Sequence, residues 1–244
     1  MTSPARRHYQ RVTAAKAAGD AQPGRPQGGQ QYELFAAALW EARQTLKGIK
    51  SVEAKIAAKR ELLPQFGPYV QGVLEGGTGA QDDVLVTIML WRLDVGDIAG
   101  ALAIAEYAVK HGLDTPDRFE RDTPSLVAEQ VAEEALKQLQ NAKGEGDEVD
   151  HEAAAHLVMH LVQAEALTRE ADMHDQVRAK LHKALGYAYR DKGNSIDEAL
   201  THLRRALELN DKAGVKKDIE QLERQAKQQQ QQQQQQNEGG QAQS

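Results

Sequence analysis

The stretch VLVTIMLWRLDVGDIAGALAIAEYAVKHGL, residues 84–113, constrains the fold more than any other part of this chain. It divides at Val95-Gly96-Asp97 into two apolar segments. The first holds Val84, Leu85, Ile88, Met89 and Trp91. The second carries Ile98, Ala101, Leu102, Ala105, Ala108 and Val109, and stops at Gly112. A β-branched run such as Val84–Ile88 also suits a buried strand, because periodicity alone does not separate the two. Three features favour helix. Asp82 and Asp83 suit a helix N-terminus, the apolar block runs on to Leu93, and a second amphipathic segment follows at once. An antiparallel helical hairpin, mostly buried, is the reading.

The pattern returns downstream. Ala101-Leu102 with Ala108-Val109 is echoed by Ala199-Leu200 with Ala206-Leu207, each behind a glycine turn, Gly96-Asp97 and Gly193-Asn194. Leu185, Gly186, Tyr189, Gly193, Ala199, Leu203 and Ala206 approach a tetratricopeptide-type spacing. Small residues let two helices approach closely, and larger ones on the same stripe fill the next groove. The fold class expected is all-α: stacked antiparallel helical hairpins with a tetratricopeptide-like C-terminal part, a basic N-terminal helical segment and disordered tails.

Aromatics make up only 5% of the 244 residues, which suits an all-helical chain. Without cysteine, disulfides and thiolate metal sites are excluded. No apolar run reaches the ~18 residues of a membrane helix, and the N-terminus lacks a hydrophobic signal core. A soluble cytoplasmic protein with no membrane contact is expected. Net charge is −6, but it is unevenly spread. Residues 1–60 hold eleven Lys/Arg against four Asp/Glu, a balance of +7, whereas residues 61–113 come to −5 and 114–152 to −8. Such polarity favours a polyanion at one end and repels it elsewhere.

In chain order, residues 1–30 read as a basic flexible arm and linker in which Arg6, Arg7, Arg11 and Lys16 face one acid, Asp20. Residues 31–66 are a helical segment for oligomerisation or DNA contact. Its seam runs through Phe35, Leu39, Ala42, Leu46, Ile49, Val52, Ile56 and Leu63, with a possible break at Gly48–Ser51 and an end at Pro64. Arg43, Lys47, Lys50, Lys55, Lys59 and Arg60 lie largely off that seam. Residues 64–81 form a Pro/Gly-rich joint. Gly76–Gly79 lacks the lysine of a phosphate loop and reads as a hinge. Residues 80–227 are the helical-hairpin domain, with a helix opening at Thr123-Pro124, a loop over Gly144–Asp147 and another helix from about 149 to 171. Residues 228–244, nine glutamines and a Gly/Ser/Gln remainder, form a disordered polyglutamine tail.

Catalytic chemistry is not legible. His156 and His160, four apart in HEAAAHLVMH, could share a metal, but no third ligand accompanies them and a helix-surface role is the reading; no metal site is assigned. Asp82, Asp83, Asp94 and Asp97 could hold Mg²⁺ as nuclease carboxylates do. They serve equally as helix-start and turn residues.

SPARRHYQRVTAAKAA, QDDVLVTIMLWRLDVGDIAGALAIAEYAVKHGL with PDRFER, DQVRAKLHKALG and GVKKDIEQLER, scattered from residue 3 to residue 224, together resemble one family. It is the small subunit of the terminase of cos-packaging tailed phages, the branch described as the endonuclease subunit. The resemblance implies binding of double-stranded viral DNA at the packaging (cos) site, in the host cytoplasm. It also implies work with a large ATPase subunit, direction of cohesive-end cleavage, and a homo-oligomer. The charge distribution supports the DNA-binding part: Arg6, Arg7, Arg11 and Lys16 would meet phosphates first, with Arg43, Lys47, Lys50, Lys55, Lys59 and Arg60 as a supporting surface. No cofactor is certain; Mg²⁺ belongs to a nuclease reading alone. The competing reading is a helical-repeat protein–protein adaptor without DNA contact.

Overall fold

The computed structural model describes residues 3–116, 121–142 and 149–241, which form ten helices and no named strand. The all-α expectation holds. The helices are α1 (Pro4–Gly19), α2 (Gln30–Lys47), α3 (Val52–Gly76), α4 (Asp83–Asp94), α5 (Ile98–Lys110), α6 (Thr123–Asn141), α7 (His151–Thr168), α8 (Asp175–Lys192), α9 (Ile196–Leu209) and α10 (Lys216–Gln241). They divide into two compact units: Met1–Gln130 with Ala166–Ala171, and Val131–Glu165 with Asp172–Ser244. The expected single hairpin domain over 80–227 is therefore split, with α4/α5 in the first unit and α8/α9 in the second. The loop expected over Gly144–Asp147 lies outside the described residues.

In the first unit α4 is the central helix. Nine of its residues, Val84–Trp91 and Leu93, are buried, as a helix apolar on every side must be. The hairpin forms as expected: Asp82 Oδ1 accepts the Leu85 N–H at 2.8 Å, and Asp97 Oδ1 accepts the Gly100 N–H at 2.8 Å. Gly96 makes the turn at φ 87°, a left-handed conformation that only glycine adopts without strain. Phe35 and Leu39 of α2 and Phe66, Tyr69, Val70 and Val73 of α3 close over α4. Much of the expected α2 seam (Phe35, Leu39, Ala42, Leu46) is thus buried within its own unit.

Helix α3 corrects the expected joint. It starts at the anticipated break, with Ser51 Oγ accepting the Ala54 N–H, but passes through Pro64 and Pro68 to Gly76. An interior proline costs about 3 kcal/mol. Phe66, Tyr69, Val70 and Val73 fall on one stripe, and burying each contributes roughly 1.5–3 kcal/mol. The stripe outweighs the two breaks.

The basic arm is not a free tail. Ser3 caps α1, Pro4 sits in its first turn, and Ala14 and Ala18 are buried where α1 lies on α3. A Cβ at Gly72 would stand 2.4 Å from the Arg11 carbonyl oxygen, and one at Gly76 would stand 2.4 Å from that of Ala15. The two glycines, one turn apart, let the backbones touch. The linker is tied down as well. Gln27 N–H donates to Gln81 O at 2.7 Å, Gln81 N–H to Arg25 O at 2.8 Å, and Thr78 Oγ1 to Ala21 O at 2.6 Å. Backbone groups leaving bulk water must find partners, and here the supposed hinge supplies them.

In the second unit α8 and α9 form the tightest hairpin. A Cβ at Gly186 would fall 2.5 Å from Leu203 Cγ, which is the close approach that the small-residue spacing implied. Leu203, Val215, Ile219 and Leu222 join α9 to α10. Helix α10 then continues through the glutamines to Gln241, where composition suggested a disordered tail. Glutamine is a good helix former, and elongating an anchored helix avoids the cost of a new nucleus. Gly186→Ala should be destabilising by about 1–2 kcal/mol, because contact with the fully buried Leu203 outweighs the helix-propensity gain of up to ~1 kcal/mol. A shift of the urea midpoint to higher concentration would contradict this.

Candidate nucleic-acid interface

The C-terminal half of α2 and the N-terminal half of α3 both pass the end of α4, and their off-seam cations face the space between them. The result is a cleft of about 730 Å³ within the first unit. Arg43 and Lys47 line it from α2, Lys55 and Lys59 from α3, and Arg121 from the segment entering α6. Leu46, Leu90, Trp91 and Leu126 supply an apolar lining, and Asp94 and Glu129 its two acids. Five cations against two carboxylates leave the lining at +3.

Each of those acids is held by a cation of the same lining, Asp94 by Lys59 and Glu129 by Arg121. Arg43 Nη2 donates to Thr87 Oγ1 at 2.7 Å, which fixes the guanidinium at the cleft wall. Lys47 and Lys55 have no carboxylate partner among the described residues. Below them Trp91, 4% exposed, takes the Phe66 ring edge-on at 6.2 Å and carries the Lys59 ammonium 5.9 Å from its ring centre.

The remaining expected contacts lie elsewhere. Arg6, Arg7 and Lys16 are exposed on α1. Arg7 and Arg11 border a shallower groove with His8, Pro64, Pro68 and Gln71. Arg11 pairs with Glu75 at 3.5 Å, and Arg60 donates to the Val95 carbonyl at 3.3 Å. Lys50 is exposed in the α2–α3 connection. A few of the ten cations therefore meet the chain's own acids, but as partly exposed pairs that contribute at most about 1 kcal/mol. Arg121 was missed because it sits in the acidic tract 114–152, where a regional charge tally hides a single cation. The helix start beside it was the available signal. That start is also adjusted: Asp122 Oδ1 accepts the Ser125 N–H at 2.7 Å, while Thr123 donates to the Leu113 carbonyl.

The four candidate nuclease carboxylates do not fit a Mg²⁺ set. Asp82 is buried and accepts the Tyr69 hydroxyl at 2.5 Å as well as the Leu85 N–H. Asp83 accepts from Gln81 at 3.0 Å, Asp94 from Lys59, and Asp97 from Arg92 at 2.5 Å. Each carboxylate has a local structural partner. His151 Nδ1 lies 2.6 Å from the Asp191 carbonyl, and no cluster of three or more metal-ligating side chains occurs among the described residues.

Burial raises the Asp82 carboxyl from 3.8 to about 6, against the lowering effect of its Tyr69 and backbone hydrogen bonds. A carboxyl raised on folding holds its proton more tightly in the folded state. Stability contributed by Asp82 is therefore greatest below pH 3.8 and falls as pH rises to 6, by about 3 kcal/mol in all. Asp82→Asn keeps a donor towards Tyr69 and an acceptor for Leu85. Relative to wild type it should lose this decline between pH 4 and 6, as read by urea midpoints. An identical pH dependence would refute the assignment.

A family model described as phage small terminase subunit matches residues 36–176, a stretch that contains the whole cleft. The chain is 50% identical over 228 residues to the terminase, endonuclease subunit of Escherichia phage P2, covering 93% of this chain and 87% of that one. It is 26% identical over 197 residues to the probable terminase, endonuclease subunit of Haemophilus phage HP1 (strain HP1c1), covering 79% and 69%. No solved structure matches. This chain belongs to the phage small terminase subunit family.

Proposed function

We propose that this small terminase subunit binds double-stranded viral DNA at the packaging (cos) site and presents it to the large ATPase subunit for cleavage and packaging in the host cytoplasm. The observation that carries the reading is the convergence of Arg43, Lys47, Lys55, Lys59 and Arg121 on one cleft of a unit that also bears Arg6, Arg7 and Lys16 on a docked helix. Cations held on a rigid frame neutralise phosphates without the ordering cost of a flexible arm. The endonuclease description of the relatives fits a role in directing cleavage, since the engaged carboxylates favour recognition here and catalysis elsewhere. Hairpin α8/α9 and its neighbours serve as the partner platform; Met159 and Val162, one turn apart on α7, expose apolar surface there, which suits protein contact and a homo-oligomer.

Duplex affinity should fall steeply with salt, and Lys47→Ala/Lys55→Ala should lower the slope of log K against log salt by about 2, one for each phosphate no longer neutralised. Fluorescence anisotropy across a salt series measures this. An unchanged slope would remove the cleft rim from the interface. Retention of a protein partner with no salt-dependent DNA binding would favour the adaptor reading instead.

A further inference from the structure

We infer that the α2–α3–α4 cleft holds an unpaired segment of DNA strand, with phosphates on its cationic rim and a base over Trp91. This rests on the DNA-binding reading above and goes beyond it in naming the state of the nucleic acid. The cations alone do not distinguish duplex from single strand. The lining does. Leu46, Leu90, Trp91 and Leu126 line the cleft together with Lys47 and Lys55, each of the four 4–8% exposed, and a duplex, whose base faces are stacked inside, could meet the rim but has no π-face to lay over Trp91 when Lys59 moves aside. An unpaired strand presents phosphates and π-faces together, the combination that positively charged grooves with aromatic floors take.

The internal ion pair explains how the aromatic face becomes available. Lys59 stands over Trp91 and is held by Asp94, their side chains 17% and 40% exposed. A partly exposed pair is a weak tether. A phosphate entering between Lys55 and Lys59 draws the Lys59 ammonium away from the ring, and a base takes the vacated position. Arg121, held by Glu129, closes the opposite side.

The chain contains two tryptophans, and Trp40 is 62% exposed on α2, so full-length protein carrying Trp40→Phe reports on Trp91 alone. A short thymidine oligonucleotide should quench and shift Trp91 emission, whereas a blunt hairpin duplex of equal phosphate number should not. Lys47→Ala/Lys55→Ala should weaken oligonucleotide binding by about tenfold or more, because two phosphate-neutralising charges leave the rim. Lys47 is exposed and Lys55 half-buried, neither has a carboxylate partner among the described residues, and circular dichroism verifies that the variant folds. If the duplex binds with the expected salt slope while the oligonucleotide leaves Trp91 unchanged, this inference fails and the DNA-binding reading stands. If neither binds, both fail. Quenching by a polyglutamate peptide that displaces the oligonucleotide would assign the cleft to an acidic protein segment and overturn the proposal.

Discussion

Phe66→Ala should destabilise the first unit by about 3–5 kcal/mol, among the largest effects of any single substitution in this chain. Phe66 is fully buried and contacts rings on two sides, Phe35 at 6.2 Å with a 51° tilt and Trp91 edge-on at 6.2 Å. Truncation removes the transfer free energy of the ring and leaves a cavity between helices that other packing holds in place. The cost reaches the candidate interface, because Trp91 loses the ring that sets its orientation beneath the cleft. Urea unfolding followed by circular dichroism should give the loss in stability, and Trp91 emission should move to longer wavelength in the still-folded protein. Phe66→Leu, which keeps much of the volume, should cost under about 2 kcal/mol. A loss below about 1 kcal/mol for the alanine variant would mean that the three rings do not form one packed core.

The same residues show how far the sequence alone could be read. The α4/α5 hairpin was legible because every local signal agreed: an apolar block, acidic caps at Asp82 and Asp97, and a glycine where the turn needs φ 87°. Lys47, Lys55 and Lys59 could be picked out as off-seam cations. Their convergence with Arg121 could not, since it depends on how the α2–α3 connection folds the two helices back over α4. Pro64 and Pro68 misled for an energetic reason. Propensity is a local quantity of about 3 kcal/mol per proline, whereas the stripe that keeps α3 intact stabilises it only against α2 and α4. The small residues around Gly186 pointed to a close helix approach, which its contact with Leu203 bears out. It could not say that α4/α5 and α8/α9 fall in different compact units.

Replacing Gly72 and Gly76 together by alanine should detach α1 from α3, although helix propensity alone favours the opposite. Two interior Gly→Ala changes would strengthen an isolated helix by about 1 kcal/mol each. Here each new Cβ would meet a backbone carbonyl of α1 at 2.4 Å, and Gly72 also faces Ala14 Cβ at 2.8 Å. Backbone cannot rotate away as a flexible side chain can. The helices must separate, at a cost of about 1–3 kcal/mol per site and with loss of the burial of Ala14 and Ala18. Packing wins. Trypsin should then cleave the variant rapidly at Arg6, Arg7 and Arg11, while α4 and α5 stay protected. If α1 contributes to DNA binding as proposed, the variant should also bind duplex more weakly: its cations would have to be ordered at the moment of binding, an entropy cost that the docked helix has already met. Wild-type resistance to trypsin with a raised melting temperature would show that the α1–α3 crossing tolerates the added methyl groups, and the rigid placement of Arg6, Arg7 and Lys16 would lose its basis.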